Sequence, residues 1–304
     1  MYKKVLFLSL MMILTSCNNP SSSVDLPSEN PSLTSEITSD TTSEIESSLI
    51  ESSSEKLSSS EEAITSEETT TSQQPSTSIN IEHDGYYQNI DLDAEGTDLL
   101  NSLSSLLNST YIGRSYATAW SILGSADEDV DNSNNIIQIY SRYTRPKSER
   151  NTGSNQNSWN REHVTTQAAM SCSKDNIGPC TDLHNLFASD SEVNSKRGNT
   201  KFGLNTNGTI VKDSKGRNTP ARTGSVFDPN SEARGEVARV TLYMIVKWGF
   251  NTNVGGDFDT LLEWNRQYPP TLDREIKRND AVFSSQNNRN PFIDYPYLAD
   301  AIWA

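Results

Sequence analysis

The sequence predicts an α+β domain, mainly helical, preceded by a long segment with no fold of its own. Three observations carry this expectation. Leu99, Leu100, Leu103, Leu106 and Leu107 recur at helical spacing, as do Val237, Val240, Met244, Ile245 and Trp248. Ile136 to Tyr143 (IIQIYSRY) has the β-branched and aromatic make-up of a strand, with no breaker. Residues 18–79 are mostly Ser, Thr and Glu and contain no aromatic side chain.

In chain order, Lys3 and Lys4 precede an apolar run, Val5 to Leu14, which is too short to span a bilayer stably and is laid out as an export signal. It ends in Leu14-Thr15-Ser16-Cys17, which resembles the bacterial lipobox. Residues 1–17 are therefore expected to be a lipoprotein signal peptide with Cys17 as the lipidated residue. That anchor would hold the protein on the outer face of a bacterial membrane. Residues 18–79 follow as a disordered tether, since so little apolar surface cannot offset the entropy of ordering. The chain of 304 residues has net charge −15, and twelve acids against Lys56 put −11 of it within residues 18–80. With the two leading lysines set aside, the remainder carries only −6. Composition excludes a polytopic membrane protein and a strongly basic nucleic-acid coat protein. A single domain, residues 80–304, remains.

Within that domain, Tyr86-Tyr87 opens the fold and the leucines at 99–107 form the first helix. Tyr116 to Leu123 (YATAWSIL) reads as a second helix, followed by an acidic, Asn-rich loop from Asp127 to Asn135. The strand at 136–143 comes next. Thr144 to Ser158, with Pro146 and Gly153, reads as loop. The helix through Val237 and Trp248 should stop before Gly249, and Asp259 to Gln267 suggests another. A short hairpin is expected in the middle.

Chemistry-bearing residues concentrate between Trp159 and Asn199, a segment that holds two of the three histidines. An imidazole beside a carboxylate, with amides and arginines nearby, suits binding a hard cation and activating water. No HExxH, Walker loop or dinucleotide fingerprint is present. On spacing alone, His163 and His184 could equally be core histidines with satisfied hydrogen bonds. Cys172 and Cys180 are the remaining cysteines of an exported domain and are expected to form a disulfide, with Gly178-Pro179 turning the chain between them.

Several blocks, in order, resemble bacterial endonuclease I and its secreted relatives, non-specific nucleases of the His-Me finger (ββα-metal) class. They are Trp159-Asn160-Arg161-Glu162-His163-Val164, Asp182-Leu183-His184-Asn185-Leu186 and Val193-Asn194-Ser195-Lys196-Arg197-Gly198-Asn199. Arg234-Gly235-Glu236-Val237-Ala238-Arg239, Asn288-Arg289-Asn290-Pro291-Phe292-Ile293-Asp294 and Trp303 agree as well. The resemblance implies a ββα-metal finger and a phosphodiester hydrolase acting without sequence specificity on DNA, RNA or both, the choice of sugar left open, leaving 5′-phosphates. His163 would be the general base. Glu162 and Asn194 would hold one divalent cation, Mg²⁺ first and Mn²⁺ or Ca²⁺ as alternatives. The chain is expected to act as a monomer.

Where the family commonly has Trp-Pro after its EHV, this chain has Thr165-Thr166, and Phe187-Ala188 replaces a common Arg-Pro or Gln-Pro. Arg197 is a candidate for phosphate or for a structural ion pair. Asn185 is a candidate for orienting the His163 ring or for stabilising a turn. His184 and Asp182 are expected to support the finger by buried hydrogen bonds. Arg234 and Arg239 read as structural ion pairs, and Phe292 and Ile293 as core. Arg142, Arg145, Lys147, Arg150 and Arg161 are candidates for a local phosphate-binding patch. The competing reading is an inactive nucleic-acid-binding or adhesive surface lipoprotein on the same fold.

Overall fold

A computed structural model describes residues 85–304, residue 154 excepted. The export signal, Cys17 and the acidic tether lie outside the described residues.

The described chain runs α1 (Gly96–Thr110), α2 (Ala119–Ala126), β1 (Asn135–Ile137), β2 (Thr144–Pro146), β3 (Trp159–His163), α3 (Gln167–Met170), β4 (Leu186–Asp190) and α4 (Ser191–Arg197). It continues through β5 (Thr209–Lys212), β6 (Asn218–Thr223), α5 (Ser231–Trp248), α6 (Phe258–Gln267), α7 (Lys277–Gln286), α8 (Pro291–Asp294) and α9 (Leu298–Trp303). The strands pair as three antiparallel two-stranded sheets: β1 with β2, β3 with β4, and β5 with β6. The fold class is α+β, with helices dominant. Among the described residues no helix is long and apolar enough to cross a membrane.

Helix α5 is the spine. Asn230 caps its first turn, accepting from the Glu232 amide, and Gly249 ends it at φ 69°, a left-handed conformation that a Cβ disfavours. Nearly all of its length is buried, including Glu236, Arg239 and Lys247. One side packs with α1, α8 and α9 through Leu99, Leu103, Leu242, Phe292 and Ile302. Another packs on the β3–β4 region through Phe187, Val193, Val237, Val240 and Trp264. A further cluster, Leu123, Ile136, Trp159, Leu186 and Val282, joins α2 and α7 to the same two strands. The β3–β4 pair is thus clamped by core from several sides, which is what a rigid site requires.

The expected helices at 99–107, 237–248 and 259–267 are present as α1, α5 and α6. Phe292 and Ile293 are core. Arg234 pairs with Asp228 at 2.9 Å and Arg239 with Glu275 at 2.5 Å. The helix expected from Tyr116 starts later, at Ala119, because residues 116–118 form a turn. The strand expected over 136–143 does not exist as one element. Pairing stops at Ile137, and the chain turns through Arg142 at φ 59° before returning as β2 inside the expected loop. Tyr140 sits at the break. Its ring is buried against Phe202 and Phe227 at the turn itself. The short hairpin expected in the middle corresponds to β5–β6, and helix α7 has no counterpart in the sequence expectation.

Candidate active site

Strand β3 alternates, so Trp159, Arg161 and His163 share one face and Asn160 and Glu162 the other. Its ladder with β4 sets Trp159 opposite Asp190, Glu162 opposite Phe187 and His163 opposite Leu186. Helix α4 begins as β4 ends. Asp190 closes the strand and caps the helix, accepting from the amides of Glu192 and Val193 at 2.9 and 3.2 Å. Arg145 fixes the same carboxylate from outside at 2.7 Å. This tight strand-to-helix junction lays α4 against the Asn160/Glu162 face.

There Asn194 Nδ2 donates to Asn160 Oδ1 at 2.8 Å. Glu162 is buried, accepts from the Tyr140 hydroxyl at 2.7 Å and lies 3.4 Å from the Arg197 guanidinium. Burial pushes the Glu162 carboxyl up to about 7, against the pull of Arg197 and Tyr140.

His163 is the last residue of β3, where strict alternation ends, and its ring is stacked on Tyr116 at 5.5 Å. Its Nε2 lies 2.8 Å from the Cys180 carbonyl oxygen. A carbonyl only accepts, so Nε2 carries the proton and Nδ1 keeps the basic lone pair. Burial pulls the imidazole down to about 4, with Cys180 opposing and Arg161, Arg197 and Lys174 assisting. The ring is therefore neutral near pH 7.

Cys180 is positioned by a disulfide to Cys172, with Cα atoms 5.8 Å apart. The bond closes the loop that departs from α3, whose first turn Thr166 caps by accepting from Ala169. Labelling of the untreated folded protein should accordingly find neither thiol free, and two reactive thiols would contradict the pairing.

The supporting residues sort clearly. Arg197 is buried, and its Nη atoms donate to the carbonyls of His163 at 3.1 Å and Val164 at 2.6 Å, so it braces the end of β3 and does not face outward to a phosphate. Asn185 does not orient the His163 ring. Its amide accepts from Thr165 N at 2.7 Å and donates to Thr165 O at 2.9 Å, pinning the backbone just past the histidine. His184 is buried beneath Tyr243, with Nε2 2.9 Å from the Asn288 carbonyl. Asp182 accepts from Tyr243, Trp248 and Gln286, tying this turn to the Asn288-Arg289-Asn290 segment. Phe187, one of the departures from the family pattern, lies under the Arg278 guanidinium at 3.4 Å.

The expected basic patch shrinks. Arg142, Arg145 and Lys147 are engaged by Glu236, by Asp190 and Glu149, and by Glu128. Tyr140, which orients Glu162, was not among the expected site residues, since an aromatic inside a strand-like run reads as core.

Histidine burial also sets an acid limit on stability. His184 has its pKa lowered from 6.5 to about 4, chiefly by burial. Its folded-state value lies below the unfolded one, so the unfolded chain takes up the proton first as pH falls. The stabilisation is present above pH 6.5 and is lost between 6.5 and about 4, on the order of 3 kcal/mol for such a shift. Denaturant midpoints should fall across that window, and His184→Asn should flatten the slope. An unchanged slope would show that His184 does not titrate with folding.

With this geometry in hand, the sequence profile of the endonuclease I family matches residues 95–297. The chain belongs to the endonuclease I family. An extracellular ribonuclease of Bacillus subtilis (strain 168) is 37% identical over 241 residues, covering 72% of this chain and 78% of that protein. An extracellular ribonuclease of Bacillus amyloliquefaciens is 35% identical over 230 residues, or 68% and 74% of the two chains. An extracellular deoxyribonuclease of Aeromonas hydrophila is 36% identical over a shorter 116 residues, 37% of this chain and 48% of the other. The matched span of this family member includes β3, β4 and α4 entire.

Proposed function

We propose that this chain is an extracellular, divalent-cation-dependent endonuclease that hydrolyses RNA and DNA without sequence specificity, leaving 5′-phosphates. The observation that carries the reading is the His163 tautomer. A neutral imidazole with Nε2–H held by the Cys180 carbonyl presents Nδ1 as a proton acceptor at the end of β3. The β3–β4–α4 unit is read as the ββα-metal finger.

The residues fit a hard cation. Among the described residues no group of three or more His, Cys, Asp or Glu is arranged to hold a metal. The candidate donor set is instead one carboxylate, Glu162, and one amide oxygen, Asn194, with water completing the shell, which suits Mg²⁺. The Asn194 amide nitrogen is committed to Asn160, which turns its oxygen the other way. Burial raises the Glu162 pKa even with the Arg197 guanidinium 3.4 Å away, so a cation held there would favour the charged carboxylate. When bound, the cation supplies Lewis-acid stabilisation of the phosphate and the departing 3′ oxygen. His163 takes the proton of the attacking water on Nδ1, and the Cys180 carbonyl stabilises the imidazolium through Nε2–H. Tyr140 and Arg197 hold Glu162 in place.

A cation bound at Glu162 should raise the unfolding midpoint at neutral pH, and EDTA should remove the increment; an identical midpoint under both conditions would count against the site. For activity, purified protein is incubated with plasmid and with RNA, in Mg²⁺ and in EDTA. Both substrates should be cut in Mg²⁺ and neither in EDTA. Intact substrates in Mg²⁺ would overturn the reading in favour of a binding protein on this fold.

The same reading places the domain outside the cell, as a monomer tethered through acylated Cys17. Detergent phase partitioning of wild type and Cys17→Ser tests the anchor, and equal partitioning of the two would remove it.

A further inference from the structure

The face of β3 that carries His163 is built as an interleaved stack. Tyr116, in the turn before α2, and Trp120, in its first turn, insert between the side chains of Trp159, Arg161 and His163. The Arg161 guanidinium lies 3.6 Å from the Tyr116 ring centroid and 4.2 Å from that of Trp120. Tyr116 is near parallel to His163, with 16° between the planes, and Trp120 meets Trp159 edge-on at 5.0 Å. In order, His163, Tyr116, Arg161 and Trp120 stack, while Trp159 meets Trp120 at an edge and the Arg150 guanidinium lies 5.8 Å from the Trp120 ring.

A cleft of about 450 Å³ opens beside it, lined by Tyr116, Trp120, Asn151, Asn160 and Arg161. That volume lies within the range of small-ligand sites. Asn160 connects it to the candidate cation site, because its side chain holds Asn194. A larger cleft, about 840 Å³, is lined by Lys201, Leu204, Val226 and Thr260 and touches none of the candidate catalytic residues.

Two features point to the occupant. Arg161 uses one Nη to hold the Tyr116 carbonyl at 2.6 Å, its Nε is buried with no hydrogen-bond partner, and among the described residues it has no ion pair. Tyr116 and Trp120 are only partly buried, and both line the cleft. A fixed, planar cation between two rings suits a phosphate, and an accessible indole suits a base. Bases in a duplex already have both faces covered, so only an unpaired one can stack here.

We propose that this cleft is the subsite for an unpaired nucleotide next to the scissile phosphate, with Trp120 stacking on the base and Arg161 contacting a phosphate. Single-stranded RNA or DNA is then the preferred substrate class. This rests on the nuclease reading, so the test has two arms.

In the first arm, full-length wild type, Trp120→Ala, Trp120→Phe and Arg161→Gln cleave an oligonucleotide offered single-stranded and as a duplex. Trp120→Ala should raise KM for the single strand on the order of tenfold, with kcat little changed and duplex KM little affected. Trp120→Phe should recover most of the loss. Arg161→Gln should weaken both substrates. In the second arm, fluorescence anisotropy in EDTA reads binding of the labelled single strand without cleavage, and the same ranking of variants is expected. Because Trp120 also packs on Trp159, the Phe variant keeps the test valid if Ala does not fold: Trp120→Phe should bind near wild type and Trp120→Leu weakly. Equal effects of the Trp120 variants on single strand and duplex, or none on either, would overturn the subsite while leaving the nuclease standing. Absence of cleavage by wild type would overturn the nuclease reading, with the binding arm still deciding the subsite.

Discussion

His163→Ala is expected to fold, to bind nucleic acid and to lose about 10²–10⁴-fold in cleavage rate, the usual worth of a positioned general base. The ring's structural contacts are few: one hydrogen bond to a carbonyl and a stack on Tyr116. His184→Ala should do the reverse. It removes a buried ring beneath Tyr243 and its bond to Asn288, which costs stability while Nδ1 of His163 stays in place. Initial rates and thermal midpoints of the two variants separate the roles. A folded, inactive His184→Ala beside a fully active His163→Ala would mean that the two histidines had been exchanged.

The largest stability effect is expected at Asp127. This carboxylate is fully buried, 2.6 Å from Arg278 and 3.1 Å from Arg274, and it accepts the Ala188 amide of β4 at 2.7 Å. Arg278 also donates to the Leu183 and Leu186 carbonyls, so one ion pair ties α2, α7 and β4 together. Asp127→Ala leaves two guanidinium groups buried with less negative charge, a loss of about 3–5 kcal/mol. In a domain this size that lowers the unfolding midpoint on the order of 10 °C. Glu236 shares the cluster: burial pushes its pKa up, but Arg274, Arg142 and Arg278 outweigh that and hold it at about 2. Its stabilisation is therefore present above the unfolded carboxyl value and is lost only as pH falls toward 2. Asp127→Asn should recover part of the loss by keeping the Ala188 bond. A midpoint within a degree of wild type for Asp127→Ala would show that the network is not holding the fold.

How much of this is legible in the sequence depends on range. Helices α1, α5 and α6 follow from periodicity and from Gly249, because burial on one core side leaves a local signature. The order of the blocks around Glu162, His163 and Asn194 was enough to name the family. Roles set by long-range partners were not legible. Asp127 stands at the start of an acidic, Asn-rich stretch that reads as surface loop, and its partner Arg278 lies 151 residues away. Tyr140 sits in a run with strand composition, yet the chain turns there and its ring packs on Phe202 and Phe227, partners 62 and 87 residues away. Arg197 has the residue type of a phosphate ligand, and only its burial against the carbonyls of His163 and Val164 makes it a brace. The stack of Tyr116, Arg161 and Trp120 joins two segments whose individual patterns say nothing about it.

The division of labour between base and cation ligands is the central claim, and Mn²⁺ binding read by electron paramagnetic resonance tests it most directly. Wild type, His163→Ala, Glu162→Ala and Asn194→Ala are titrated at one pH after confirming that each is folded. His163→Ala should bind one ion with affinity close to wild type despite its loss of activity. Glu162→Ala and Asn194→Ala should bind markedly more weakly and regain part of their activity at high metal concentration. Lost binding in His163→Ala, with wild-type binding in both Glu162→Ala and Asn194→Ala, would contradict the account.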